Sequence, residues 1–402
     1  MNAPTPEPLL RLATGCRIEF DPANRPTAGR HDRRVALGDH GLALLDRFRE
    51  PATAGEALSA LKPRFRSSQE WIECLRLVSR LQAEGILSSD DEPVIPAGFA
   101  SPAIHIAMLN DAPRTDAFIR AIRQTVRPED VVLEIGTGSG VLAAAAAKAG
   151  ARQVYAVEQT AIGDAAEQLF ADNGVADRVR LIRGASSAIE LPEQADIVIG
   201  ELFGHDALEE NALESFLDAR RRHLKPAARF LPRAIGILAA PVRLAPELRA
   251  RKRFASESLA QWQSSYDLDF SALAAWQSQS PDRLLANRAE LAQIRPCAPP
   301  VRFPPIDLAR LDTSMVEFHA TVRIDSPGEI DGVMLWFELD LAEGVSLNAN
   351  PTTSAKHHHW KTPVHLLAAP LSVALGDAVE IRYVYGRSAV PCASVSPTGT
   401  QP

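Results

Sequence analysis

Residues Val131 to Glu158, VVLEIGTGSGVLAAAAAKAGARQVYAVE, decide how this chain folds. An apolar run, Val131 to Ile135, breaks into Gly136, Gly138 and Gly140, passes into an alanine-rich segment, and returns as a second apolar run ending in Glu158. Short apolar runs bounded by glycine read as buried strands and the alanine segment reads as a helix, so the stretch predicts strand, tight turn, helix, strand. The glycines let the backbone turn sharply and approach a ligand, and an acid at the tip of the next strand suits a ribose diol. Glycine spacing then selects the ligand. A dinucleotide fingerprint places its third glycine so that helix and strand pack over a pyrophosphate; here Val141 stands where that glycine should be and Gly140 comes one residue early. A ligand with a ribose and no pyrophosphate is indicated.

G-x-G-x-G followed by a terminal Glu resembles the class I S-adenosylmethionine (SAM) methyltransferases. The resemblance implies a Rossmann-like α/β domain with SAM as cofactor, held by Glu134, Gly136, Thr137, Gly138, Gly140 and Glu158.

The chain has 402 residues, 46% of them apolar, enough for two or three domains that each bury a core. No basic amino-terminal region leads into an apolar stretch, and no apolar run is long enough to span a bilayer, so a cytoplasmic protein with no membrane partner is expected. The four cysteines, Cys16, Cys74, Cys297 and Cys392, are scattered without paired spacing, which argues against a disulfide framework and a metal site. A net charge of -7 has the wrong sign for nucleic acid and suits a cationic substrate.

Residues 1–92 predict a small α+β domain. Short alternating segments around Ile18 and Val35 suggest a hairpin, and helices follow over Gly41 to Phe48, Ala52 to Leu61 and Gln69 to Glu84, the last with Trp71, Leu75, Leu77, Val78 and Leu81 as its buried stripe. That is winged-helix-like, but 13 Lys or Arg against 14 Asp or Glu leave no basic footprint for DNA. ALGDHGLALLDRF and the closing LQAEGIL resemble the PqqD-like domain, a peptide-binding module of ribosomal peptide modification systems. The resemblance implies capture of a precursor's leader peptide by strand addition to the hairpin edge. A packing or oligomerisation domain is the alternative. Pro-rich PVIPAGFA, residues 93–100, reads as a linker.

Residues 93–234 form the expected cofactor domain. His105, Met108, Leu109, Asp111 and Arg114 precede the first strand, and the order HxxML, Asp, Arg114, Gly136 loop resembles the protein arginine methyltransferase family. There the arginine pairs with the carboxylate of SAM, which a planar guanidinium can do bidentately. IELPEQADIVIGELFGHDALEENALESFLDARRRHLKPAARFLPRAI resembles the family's segment in which a strand delivers two glutamates on a loop before a helix ending in an LKP turn. Glu201 and Glu210 match the pair, and the resemblance makes them catalytic. Two carboxylates gripping one guanidinium draw its positive charge toward the nitrogens they touch and fix its approach to the methyl donor. The chain also departs from the family. Only Phe99 remains of an aromatic pair that covers cofactor and substrate, the loop reads Glu-Leu-Phe-Gly-His instead of Glu-Trp-Met-Gly-Tyr, and Ser187 takes the place of the glutamate that contacts adenine.

Residues 235–388 alternate in apolar segments spaced by Pro and Gly, an antiparallel barrel signal. Residues from about 245 to 290 read as largely helical, and WQSSYDLDFSAL resembles the family's dimerisation arm, which implies a homodimer. His357, His358 and His359 are consecutive and alternate in direction on a strand, so they cannot share one metal ion comfortably. His359-Trp360 matches instead the family's Thr-His-Trp motif, which puts His359 near the glutamates as a proton acceptor and Trp360 at the substrate. Residues 389–402 read as a flexible tail. The resemblance as a whole implies a SAM-dependent methyltransferase acting on an arginine of a ribosomally made peptide. Another amine or small-molecule acceptor, and a SAM-binding scaffold without turnover, are the alternatives.

Overall fold

The computed structural model describes residues 7–13, 15–20, 24–30, 33–89, 98–254, 256–277, 282–352, 359–386 and 391–398. Most of the expected linker, and His357 and His358, lie outside them. The chain divides into two compact units, Met1–Pro96 and Ala97–Pro402.

In the first unit β1 (Leu10–Leu12) pairs with β5 (Leu87–Ser89), while β2 (Arg17–Phe20), β3 (Pro26–Arg30) and β4 (Arg33–Ala36) form an antiparallel sheet in that order. Three helices complete it: α1 (Gly41–Arg47), α2 (Ala54–Leu61) and α3 (Ser68–Ala83). Thr53 and Glu56 form a capping box on α2, and Ser67 caps α3 by accepting from the Glu70 N–H, so each start is fixed locally. The buried face of α3 is Cys74, Leu77, Val78 and Leu81. Trp71 and Leu75, expected on that stripe, are instead 40% and 38% exposed. They lie one step round the helix from the residues that meet Leu44, Leu58 and Leu61 in the core.

The second unit opens with α4 (Pro102–Asn110) and α5 (Ala112–Thr125) and continues as β6 (Val131–Ile135), α6 (Val141–Lys148), β7 (Gln153–Glu158), α7 (Gly163–Asp172), β8 (Val179–Arg183), β9 (Ala195–Gly200), α8 (Ala212–Arg222) and β10 (Leu224–Leu231). The strands form a parallel sheet in the order β10-β9-β6-β7-β8. Every residue of β6 is buried, which is why its sequence is a continuous apolar run instead of an alternation. From β6 the chain winds outward through β7 to β8 and then returns to β9 on the other side of β6. The carboxyl ends of β6 and β9 therefore flank a topological switch point, where open α/β sheets bind their ligands.

A mostly antiparallel lobe follows: β11 (Ala234–Leu244), α9 (Pro246–Lys252), α10 (Ser256–Tyr266), α11 (Ser271–Gln277), β12 (Asp282–Ala286), α12 (Arg288–Leu291), β13 (Ile294–Pro296), β14 (Val301–Arg302), β15 (Ile306–Asp307), β16 (Val316–Arg323), β17 (Gly328–Ala342), β18 (Val345–Asn348), β19 (Thr362–Val373), β20 (Ala378–Tyr385) and β21 (Cys392–Pro397). One curled sheet runs β12-β19-β17-β11-β13, with β14 and β15 added to β11 and β18 to β17; a second runs β16-β20-β21. One apolar core passes from the parallel sheet into this half-barrel, so Phe203 of the first lobe packs with Phe337 and Trp360 of the second. No helix among the described residues is long and apolar enough to cross a membrane.

Three expectations are corrected. Leu224-Lys225-Pro226 is not a turn but the start of β10, an edge strand, where a proline without an N–H is tolerated. The segment after residue 245 is not helical to Glu290, since β12 leaves the arm to pair with β19. The tail from residue 389 carries β21, whose Cys392–Pro397 pairs antiparallel with Val379–Val384.

Candidate active site

Loops leaving β6, β7 and β9, together with α4, α5, α8 and the lead-in to β19, enclose a cleft of about 940 Å³. Every site residue named from the sequence lines it except Gly140. Gly140 begins α6 at φ +87°, and a Cβ there would come within 2.7 Å of the Phe170 ring, so its smallness serves helix packing. Gly136 and Gly138 also have positive φ, and a Cβ on Gly138 would sit 3.2 Å from the His105 ring. His105 in turn bonds through Nε2 to the carbonyl of Phe99 at 2.8 Å. Ser187 lies in a short turn on the cleft wall beyond β8.

At one end of the cleft are the acids of the glycine turn. Glu158 accepts the Gly138 N–H on Oε2 at 2.9 Å and the Thr160 N–H on Oε1 at 2.7 Å, bonds that aim its carboxylate across the loop. Glu134 is buried and accepts from the Thr137 hydroxyl. Burial pushes its carboxyl up to about 7, and the neighbouring Glu158 adds to the effect, while the Thr137 bond opposes it.

At the other end the loop from β9 to α8 carries Glu201 and Glu210. Glu201 pairs with Nη2 of Arg114, both side chains being about a tenth exposed. Arg114 also donates through Nη1 to the Met108 carbonyl at 3.2 Å, which holds the turn between α4 and α5 against it. Two buried atoms of the ion pair, Nε of Arg114 and Oε1 of Glu201, have no partner among the described residues. Among the described residues Glu210 has no cation of its own. Burial, with repulsion from Glu201 and Glu209, pushes its carboxyl up to about 8 against the weaker pull of Arg114.

His359 is held by an acid that the sequence placed in the motif ahead of the first strand without giving it a role. Asp111, fully buried, accepts from the His359 N–H at 3.2 Å, bonds its Nδ1 at 2.9 Å, and caps α5 by accepting from the Arg114 N–H at 3.3 Å. Trp360 is buried on the cleft, its indole N–H donates to the Phe203 carbonyl at 2.7 Å, and its ring meets Phe337 edge-on. The half-barrel grips the same loop again through Asp206, which accepts from the Tyr383 hydroxyl at 2.9 Å and faces His365 Nε2 at 3.3 Å. Among the described residues no cluster of His, Cys, Asp and Glu could hold a metal ion.

A Rossmann-like sheet with a glycine turn and a terminal Glu, joined to a half-barrel that brings a histidine to two glutamates, defines a class I methyltransferase with a dedicated acceptor lobe. Residues 111–240 match the family described as ribosomal protein L11 methyltransferase (PrmA), and residues 248–393 match the arginine methyltransferase oligomerization subdomain. Protein arginine N-methyltransferase 2 of Xenopus tropicalis is 31% identical over 300 residues, covering 71% of this chain and 67% of that protein. PRMT10 of Oryza sativa subsp. japonica is 30% identical over 321 residues, covering 70% and 80%. An arginine N(omega)-methyltransferase of Streptomyces achromogenes subsp. streptozoticus is 29% identical over 286 residues, covering 70% and 75%. The fold matches that of the Trypanosoma brucei PRMT1 enzyme-prozyme complex with a TM-score of 0.63 at 23% identity, covering 75% of this chain and 96% of that one. The chain belongs to the protein arginine N-methyltransferase family of SAM-dependent enzymes.

Proposed function

We propose that the chain transfers a methyl group from SAM to a guanidino nitrogen of an arginine in a peptide recruited by the amino-terminal unit. The observation that carries this is the charge state of the acceptor end. Among the described residues Glu201 keeps one oxygen without a partner and the half-buried Glu210 has no cation, and a guanidinium would meet both with charge and hydrogen bonds.

The residues at the other end suit SAM. Glu158 would accept the ribose hydroxyls, and the unpartnered Nε of Arg114 would take the carboxylate. When bound, SAM supplies an electrophilic methyl on its sulfonium. Glu201 and Glu210 would orient the guanidinium and polarise it, Glu210 giving up its proton as the cation enters. Asp111 fixes the His359 ring through Nδ1, so that the imidazole would receive a proton released at the acceptor end.

Recruitment is supported by an edge strand with an apolar face. β2 is the outer strand of its sheet, and its Ile18 and Phe20, two residues apart and therefore on one face, are 53% and 61% exposed. An extended peptide adds to such an edge through backbone hydrogen bonds and fills it with apolar side chains. A homodimer is supported by the arm, where Tyr266 and Trp276 are each 63% exposed.

The test is Glu201→Gln and Glu210→Gln, singly and together, at saturating SAM. Each single change should lower turnover by roughly two to three orders of magnitude, because it strands a buried cation on one partner, and the double should cost little more. A neutral acceptor would leave one Gln variant near full activity.

A further inference from the structure

Three glutamates stand on the β9–α8 loop, and they are not treated alike. Glu201 is paired by Arg114, Glu210 is left without a cation, and Glu209 is paired by an arginine from the other lobe. Its Oε2 accepts from Nη1 of Arg283 at 2.5 Å, on β12 of the half-barrel. Its Oε1 turns back on the loop and accepts from the backbone N–H groups of His205 at 2.5 Å and Asp206 at 3.3 Å. The side chain lies so close over Gly204 that a Cβ there would come within 2.4 Å of its Cγ. Glu209 thus closes the loop between Glu201 and Glu210 into a ring, and Arg283 ties that ring to the half-barrel.

We propose that Glu209 and Arg283 act as a positioning pair for Glu210: the carboxylate fixes the shape of the glutamate loop, and the guanidinium offsets part of the negative charge with which Glu209 faces Glu210 in the acceptor site. The proposal rests on Glu210 being an acceptor-site acid. It goes beyond that assignment because neither residue need touch the acceptor.

The charges around Glu210 make the pair's sign testable. Glu201 and Glu209 face it from its own loop and Arg114 from α5. His205 is held neutral at ordinary pH, chiefly by burial, with its Nδ1 accepting the Lys361 N–H at 3.1 Å. On α8, Glu214 is bonded to the Tyr385 hydroxyl and Asp218 to Arg222, so neither changes partner when the pair is altered. His359 is held by Asp111. Among these, Glu209 alone has its charge set by Arg283.

Arg283→Gln would leave a bare carboxylate beside Glu210 and make its ionisation harder. Glu209→Gln would keep an oxygen for the loop amides while removing the charge, and make it easier. The assay is methyl transfer to a synthetic peptide carrying one arginine flanked by glycines, with kcat/KM followed from pH 6 to 10 in the full-length enzyme, and Glu210→Gln as the control. The acid limb should move up in Arg283→Gln and down in Glu209→Gln, each by about half a pH unit to one unit, and return toward its original place in the double variant. A merely structural pair would lower kcat in both without moving the limb, and would overturn the proposal. If Glu210→Gln itself leaves the acid limb in place, the fault lies instead with the assignment of Glu210; a limb that Glu210→Gln removes but the other variants do not shift rejects the positioning pair alone.

Discussion

Asp111→Ala should show how much of the active site hangs on one buried carboxylate. In the native protein this side chain has no exposure, caps α5 through the Arg114 N–H and holds both the backbone and the ring of His359. Loss of the cap costs about 1 kcal/mol, and loss of a hydrogen bond between a buried charge and the imidazole costs roughly 1.5 to 3 kcal/mol. The sum, about 3 kcal/mol, corresponds to a fall in Tm of about 5 °C for a unit of this size. Activity should fall further than stability alone explains, because Arg114 at the head of α5 and His359 both lose their anchor. Asp111→Asn separates the two effects. Its amide oxygen can still cap α5 while the charge beside His359 is gone, so about a third of the lost Tm should return and most of the activity should not. Thermal unfolding and saturating-SAM turnover measure the two quantities. An Asp111→Ala protein with an unchanged Tm, or an Asp111→Asn protein with full turnover, would refute the reasoning.

At the cofactor end, Glu158→Ala should weaken SAM binding at least about tenfold, on the order of 1.4 kcal/mol for a lost charge-assisted pair; calorimetry giving an unchanged Kd removes the assignment. The Glu134 carboxyl is raised to about 7 by burial, so the native state holds its proton more tightly than the unfolded chain does, and the stability it contributes is present below about pH 4.5 and lost as pH rises through about 7. Glu134→Gln should therefore gain Tm relative to wild type between pH 5 and pH 8, and a difference that does not vary with pH contradicts the burial argument. Removing residues 1–96 should raise KM for a full-length precursor peptide while leaving SAM affinity as it was, since the lost contacts are remote from the chemistry. Equal KM for the truncated and intact enzymes would reject peptide recruitment by this unit.

Much of this site can be read in the sequence because its parts are local. The glycine turn, Glu158 at the tip of β7 and Glu201 at the tip of β9 each follow from a short apolar strand and what ends it. What could not be read is what depends on a distant partner. Asp111 meets His359 across 248 residues, and Glu209 meets Arg283 across 74, so neither pairing can be seen along the chain. The last strand, Cys392–Pro397, is short and alternates weakly; an open neighbour in β20, not its own propensity, makes it a strand. On α3, apolar Trp71 and Leu75 belong to the right helix and the wrong face, because hydrophobicity marks what can be buried and not whether a partner is there.

The central claim is that the cationic acceptor of this enzyme is an arginine side chain in a peptide. It is tested most directly by incubating the full-length protein with methyl-labelled SAM and a precursor peptide, then locating the label by tandem mass spectrometry. The structure leads us to expect the methyl on a guanidino nitrogen of the peptide, absent when Glu201 and Glu210 are both glutamine. Label on a carboxylate, on a lysine amine or only on added free arginine would contradict that claim.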